Sequence, residues 1–242
     1  MRAVSETAER GRRSRELPPP LPPETRTVGQ LVAEAIRFYG SRFWPSLALG
    51  IPPALLVVAG APLPRQERIL VVLVAAPLLI TLSYVWACVL LLPERRGSLA
   101  VAFAAGVLVF APVPVLLAVS ALLVLPALGW LALFGLVVPV VLAGGFGFRR
   151  SFRRAVELAR ADYVHALGGL STLAIVAFLS QAILFFLLRG AGEAAVAVAA
   201  FLANLVVSPV LFLGAALLYF DQAARIGTRS SRRARVRSSK AR

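Results

Sequence analysis

Residues 148–168 read FRRSFRRAVELARADYVHALG. The stretch holds five arginines, two acids and the chain's one histidine, His165, between two long apolar blocks. Helical spacing sets Phe148, Phe152, Val156, Ala159 and Tyr163 on one face, and Arg149, Arg150, Arg153, Arg154 and Arg160 on the other. A helix of this kind lies in a membrane interface, its rings at the acyl boundary and its guanidinium groups at headgroup phosphates. Those five arginines are therefore the candidate lipid- or phosphate-facing residues. The reading requires that the flanking blocks cross a membrane, and composition decides that.

Hydrophobic residues make up 59% of the 242, above the roughly 45–50% of soluble domains, and charged residues only 15%. Mean hydropathy is +0.83. Uncharged runs of 22, 25, 52, 26 and 27 residues follow Arg42, Arg68, Arg96, Asp162 and Glu193. A spanning helix needs about 20 apolar residues to cross roughly 30 Å of hydrocarbon. Four runs fit one span each. The longest suits two, divided at Leu125-Pro126-Ala127-Leu128-Gly129, where proline and glycine mark a turn; a re-entrant segment is the alternative. The expected fold is all-α, a polytopic membrane helix bundle over residues 27–220, with spans near 44–63, 69–92, 101–124, 130–147, 166–188 and 194–220. Pro52-Pro53 and Pro77 are expected to bend the first two.

Two amphipathic interfacial helices complete the domain, at 148–165 and 27–43. The second opens on a capping-box pattern, Thr27 and Gln30, and ends on Tyr39, Phe43 and Trp44, an interfacial aromatic belt. A shift of 120 residues aligns the two segments, pairing Ala35 with Ala155, Ile36 with Val156 and Phe43 with Tyr163. Residues 97–147 then form a third unit without a charged helix. The proline-rich segment 1–26 and the basic, serine-rich segment 221–242 have little to bury and are expected as disordered tails.

Charge sets the orientation. With six spans, 23 of the 26 lysines and arginines fall on the side of the two termini. Arg65, Arg68 and Arg189 alone fall on the other, a strong positive-inside signal. Both termini and the arginine segment are thus expected to be cytoplasmic, in a bacterial cytoplasmic membrane. Topology also accounts for most of the +15 net charge, so the expected partners are the bilayer, its anionic headgroups, and a membrane protein or second copy. Nucleic acid is not expected, because the basic tail lacks interleaved aromatics.

Chemistry is sparse. Under this division no span carries a charge, whereas ion and proton pathways place ionisable groups inside the bundle. Among the polar residues away from span ends, Gln181 and Asn204 lie near mid-depth of neighbouring spans. They are candidate interhelical hydrogen-bonding partners, with a polar substrate contact as the alternative. His165 is expected as a solvated or phosphate-facing ring, and Asp221 as a partner of Arg225 at i+4. Cys88 is the single cysteine, which excludes an internal disulfide. No nucleophile elbow, phosphate loop, metal-ligand helix or paired carboxylates occur. The expectation is a non-enzymatic scaffold, partner subunit or lipid-interacting module without cofactor or metal; the alternative is a permease component for an apolar or lipid-like solute.

Three segments resemble one family. RTVGQLVAEAIRFYGSRFWPSLALGIPPALL, from Arg26, is similar to the opening of bacterial proteins related to the membrane domain of glycerophosphodiester phosphodiesterases. Val138-Pro139-Val140-Val141-Leu142, with Arg150-Ser151 and the run from Ala155 to Arg160, resembles that family's fourth span and arginine-serine helix. Leu218-Tyr219-Phe220-Asp221 resembles its closing signature. The chain departs from the pattern at Ala143-Gly144-Gly145, where the family often has a glutamate, and in the arginine-poor loop after Gly97. The resemblance implies a membrane module. The family's catalytic domain is a separate soluble barrel, so no catalytic residue carries over.

Overall fold

The computed structural model describes residues 22–92, 94–188, 190 and 192–240; for 193, 194 and 228–240 it describes the backbone alone. The described residues form an all-α polytopic membrane bundle. Six helical segments are long and apolar enough to cross a bilayer: Phe43–Gly60, Arg65–Leu91, Leu99–Val119, Ala121–Gly144, Tyr163–Leu188 and Ala195–Gly227.

Helix α1 (Val28–Ser41) starts where its capping box predicts. Gln30 N–H donates to Thr27 Oγ1, and Gln30 Oε1 accepts from Thr27 N–H at 2.7 Å. The first span comprises α2 (Phe43–Leu47), a 3-10 turn at Ala48–Gly50, and α3 (Ile51–Gly60). Pro52 and Pro53 sit in the first turn of α3, where a missing N–H costs nothing. They divide the span rather than bend it at its middle. The second span, α4 (Arg65–Leu91), continues through Pro77.

The third span joins α5 (Leu99–Phe110) to α6 (Pro112–Val119). The fourth joins α7 (Val124–Phe134) to α8 (Val137–Gly144). The turn between them corrects the expected division at 125–129. It falls at Ser120, the residue with extended backbone, whose hydroxyl accepts from Leu122 N–H. Pro126 lies in the first turn of α7, where proline starts a helix rather than ending one.

Next come α9 (Phe148–Ala161), α10 (Tyr163–Leu188) and α11 (Glu193–Lys240). At 48 residues α11 is about 72 Å long, more than twice the hydrocarbon thickness. The expected boundary at 220/221 is therefore overturned: the helix runs on, with Asp221 and Gln222 fully buried. The other expected tail also changes at its edge. Arg26 is buried, directly after a 3-10 turn at Pro23–Thr25; residues 1–21 lie outside the described residues.

The 120-residue offset is visible in the helices. Val28 and Phe148 start α1 and α9, and Ser41 and Ala161 end them. One non-helical residue follows each, Arg42 (φ −131°, ψ 54°) and Asp162 (φ −151°, ψ 73°), and then a span begins. Three hairpins close a ring: α4 packs on α5, α7 on α10, and α11 on α3 and α4. Each amphipathic helix rests on the hairpin before its own in that ring, α1 on α10 and α11, α9 on α7 and α8.

The proline breaks leave carbonyls without their helical donors, and other groups take those places. Residue 139 is proline, so the Gly135 carbonyl lacks its partner; Tyr84 Oη donates to it at 3.0 Å. Residue 209 is proline, which frees the Leu205 carbonyl. Gly50 lies against that oxygen so closely that a Cβ there would stand 2.0 Å from it.

Candidate functional site

Three places gather polar chemistry. The first is the outer face of α9. Ser151, Ala155, Leu158 and Ala159 turn into the bundle, one stripe round from the aromatic face that the sequence suggested. Small side chains let the helix approach the spans closely. Ser151 Oγ donates to the carbonyls of Phe146 and Gly147. Phe152 reaches Phe134 of α7, with ring centroids 6.1 Å apart, and Phe148 is 42% exposed. The helix is thus pinned to the fourth span, and its arginines project away.

All five expected arginines are exposed. Arg149, Arg150, Arg153 and Arg154, with Phe146 and Glu157, line one cleft of about 810 Å³; Arg160 stands apart from it. Arg150 lies over the Phe146 ring at 4.6 Å. Arg153 and Arg154 donate to opposite oxygens of Glu157 at 3.1 and 3.2 Å. Those hydrogen bonds hold the Glu157 carboxyl below the usual carboxylate range. Four guanidinium groups against one carboxylate make a cationic comb.

The second place was not foreseen as a unit. Arg26 Nη1 meets Asp221 Oδ1 at 2.8 Å with both side chains buried. Arg225 pairs with Asp162 and also donates to the Arg26 carbonyl at 2.9 Å. This corrects the expected Asp221–Arg225 pair. His165, expected in solvent, has a side chain only 10% exposed, with Nε2 3.6 Å from Asp221 Oδ2 and Arg225 beside its ring. Gln222 Nε2 donates to the Asp162 carbonyl at 3.1 Å. The cluster ties the segment before α1, the start of α10 and the middle of α11 together. Among the described residues no group of three or more His, Cys, Asp or Glu side chains is arranged to hold a metal ion. Asp221 at a span end, with Gln222 and Arg225 following, was the available signal. Arg26 gave none, because nothing in its local sequence distinguishes it from the tail arginines.

The third place is a cavity of about 380 Å³ at the axis of the ring, lined by all three hairpins. The structure brings Gln181 and Asn204 to its wall but not to each other, which overturns the interhelical bond. Asn204 Nδ2 donates to the Ala200 carbonyl within its own helix at 2.9 Å. The Gln181 side chain makes no hydrogen bond among the described residues. Ser208 and Tyr84 complete the polar part of the lining; the rest is apolar.

No family model, no curated protein and no solved structure matches the chain.

Proposed function

We propose that this chain is a non-enzymatic, lipid-interacting module of the bacterial cytoplasmic membrane that engages anionic headgroups through α9. The observation that carries the reading is the comb of Arg149, Arg150, Arg153 and Arg154, facing out from a helix whose opposite side is packed into the bundle. Guanidinium groups suit phosphate in geometry and charge. Each basic residue near an anionic leaflet contributes about 1 kcal/mol. The 23-to-3 division of basic residues supports cytoplasmic termini and a cytoplasmic comb. The resemblance to the membrane domain of glycerophosphodiester phosphodiesterases fits a module that works beside a separate soluble partner.

The test is thermal stabilisation of the detergent-purified chain by short-chain phosphatidylglycerol against phosphatidylcholine. The expected result is a clear preference for phosphatidylglycerol that disappears when the four cleft arginines are replaced by glutamine. Equal stabilisation by both lipids would sink the proposal.

A second reading, a permease component for an apolar or lipid-like solute, has the central cavity in its favour. Proteoliposomes that move a fluorescent lipid between leaflets no faster than empty vesicles would remove it.

A further inference from the structure

The central cavity has a shape and a polarity that the headgroup proposal does not use. Along α11 its lining runs from Asn204 to Leu218, and along α10 from Leu170 to Gln181. These are about 21 Å and 16 Å of helix, so the space is a slot along the spans rather than a round pocket. Its volume of about 380 Å³ lies within the roughly 300–1,000 Å³ of ligand sites.

No charged residue lines the slot. An apolar cavity stays dry and takes apolar ligands, so water is a poor occupant of its length. The polar groups are unevenly placed. At the Leu170–Leu218 end the wall is apolar, and at the other end stand Gln181 and Asn204. The Tyr84 hydroxyl serves the Gly135 carbonyl, and the Asn204 amide N–H serves Ala200. The Gln181 amide is left with donors and no acceptor, and such a group in hydrocarbon costs free energy until it is paired.

The slot also adjoins the least packed span. Only 11% of the apolar window of α10 is buried, against 28–33% in the others. Phe178, Phe185 and Phe186 of α10 and Val198 of α11 are more than half exposed, at 70%, 57%, 60% and 57%. The surrounding medium at this face is acyl chain, and α10 turns much of its apolar surface toward it.

We infer that the slot binds one acyl chain of a lipid, with the tail toward Leu170 and Leu218 and an uncharged ester or amide carbonyl accepting a hydrogen bond from Gln181. The residues differ from those of the arginine comb, so either site stands if the other fails. Transport is not required; a resident chain fills the ring axis and fixes the spacing of the three hairpins.

The test is photocrosslinking of the full chain in phosphatidylcholine nanodiscs, with a palmitoyl monoglyceride carrying a diazirine at the tail end. Labelled peptides are read by mass spectrometry. The expected labels fall at the apolar end of the slot, on α10 near Leu170 and on α11 near Leu218. Ala174→Phe on α10 and Leu128→Trp on α7 fill the slot from two sides, and each is expected to cut slot labelling at least about fivefold. Gln181→Leu is expected to weaken labelling by the ester probe about fivefold, the scale of one hydrogen bond, and to spare an alkane probe of equal length. Labelling spread over Phe178, Phe185 and Phe186, and unchanged in both filled variants that retain the parent's thermal stability, overturns the inference. Equal loss of both probes in Gln181→Leu overturns the assignment of the polar end.

Discussion

Arg26 and Asp221 stand 195 positions apart in the sequence and meet at 2.8 Å, the aspartate side chain wholly shielded. The pair fastens the segment before α1 to the last helix. His165 and the Asp162–Arg225 pair close round it. Removing one partner of a buried pair costs about 3–5 kcal/mol, because a charge stays behind in low dielectric. Asp221→Asn is therefore expected to lower unfolding stability in detergent by that amount. Arg26→Met combined with Asp221→Leu is expected to recover most of the loss, and calorimetry of the purified variants checks both.

Tyr84 supplies the donor that Pro139 cannot. Tyr84→Phe keeps the ring and strands the Gly135 carbonyl among apolar spans, at an expected cost of about 1–3 kcal/mol. Pro139→Ala returns the helical N–H, so the double variant Tyr84→Phe with Pro139→Ala is expected to lose less than Tyr84→Phe alone. Denaturant titration in mild detergent provides the comparison.

Gly50 and Gly40 make a matched contrast. A Cβ at Gly50 would stand 2.0 Å from the Leu205 carbonyl oxygen, whereas nothing lies within 4 Å of one at Gly40. The atom in the way at Gly50 is backbone and cannot swing aside. Gly50→Ala is expected to destabilise by about 1–3 kcal/mol through overpacking. Gly40→Ala, in α1, is expected to be neutral or to stabilise by up to about 1 kcal/mol through helix propensity. Melting temperatures of the two variants decide the point.

Glu157 restrains the arginine comb, and acid is expected to release it. Its carboxyl titrates below the usual range because Arg153 and Arg154 hydrogen-bond to it. The folded value lies under the unfolded one, so the contribution to stability is present above the ordinary glutamate pKa of about 4.3. It is lost as pH falls through the lowered folded value. Protonation there frees two guanidinium groups, and binding of phosphatidylglycerol is expected to strengthen over that window. Glu157→Gln is expected to bind at the strengthened level already at neutral pH, with a flat profile; a slope like that of the parent protein would contradict this. Salt weakens both, as it screens exposed charge.

The bundle was legible because hydrocarbon imposes a length: uncharged runs of 22 to 52 residues admit few other readings. The exposed arginines were legible for a related reason, since five guanidinium groups clustered on one face of a single helix cannot all be buried. The turn in the longest run was misplaced because Pro126 and Gly129 look like a turn, yet proline is equally at home in a helix's first turn. Ser120, the true break, has no marking in composition. The ion cluster was hidden because Arg26 and Asp221 are joined only through tertiary structure. Gln181 and Asn204 were found as polar residues in apolar spans. Their lack of mutual contact depends on rotation about the helix axes, which amide spacing does not encode.

The 120-residue offset between α1 and α9 has a consequence for biogenesis. Leu31 of α1 and Leu218 of α11 both close on Gly169 of α10, and α10 and α11 are made long after α1 leaves the ribosome. The apolar stripe of α1 therefore waits on the membrane surface while four spans are inserted, and an amphipathic helix can wait there without aggregating. Contacts so distant in sequence form late. Docking of α1 is therefore completed only with the last hairpin, and a translation product truncated before α11 is expected to leave part of the apolar stripe of α1 uncovered.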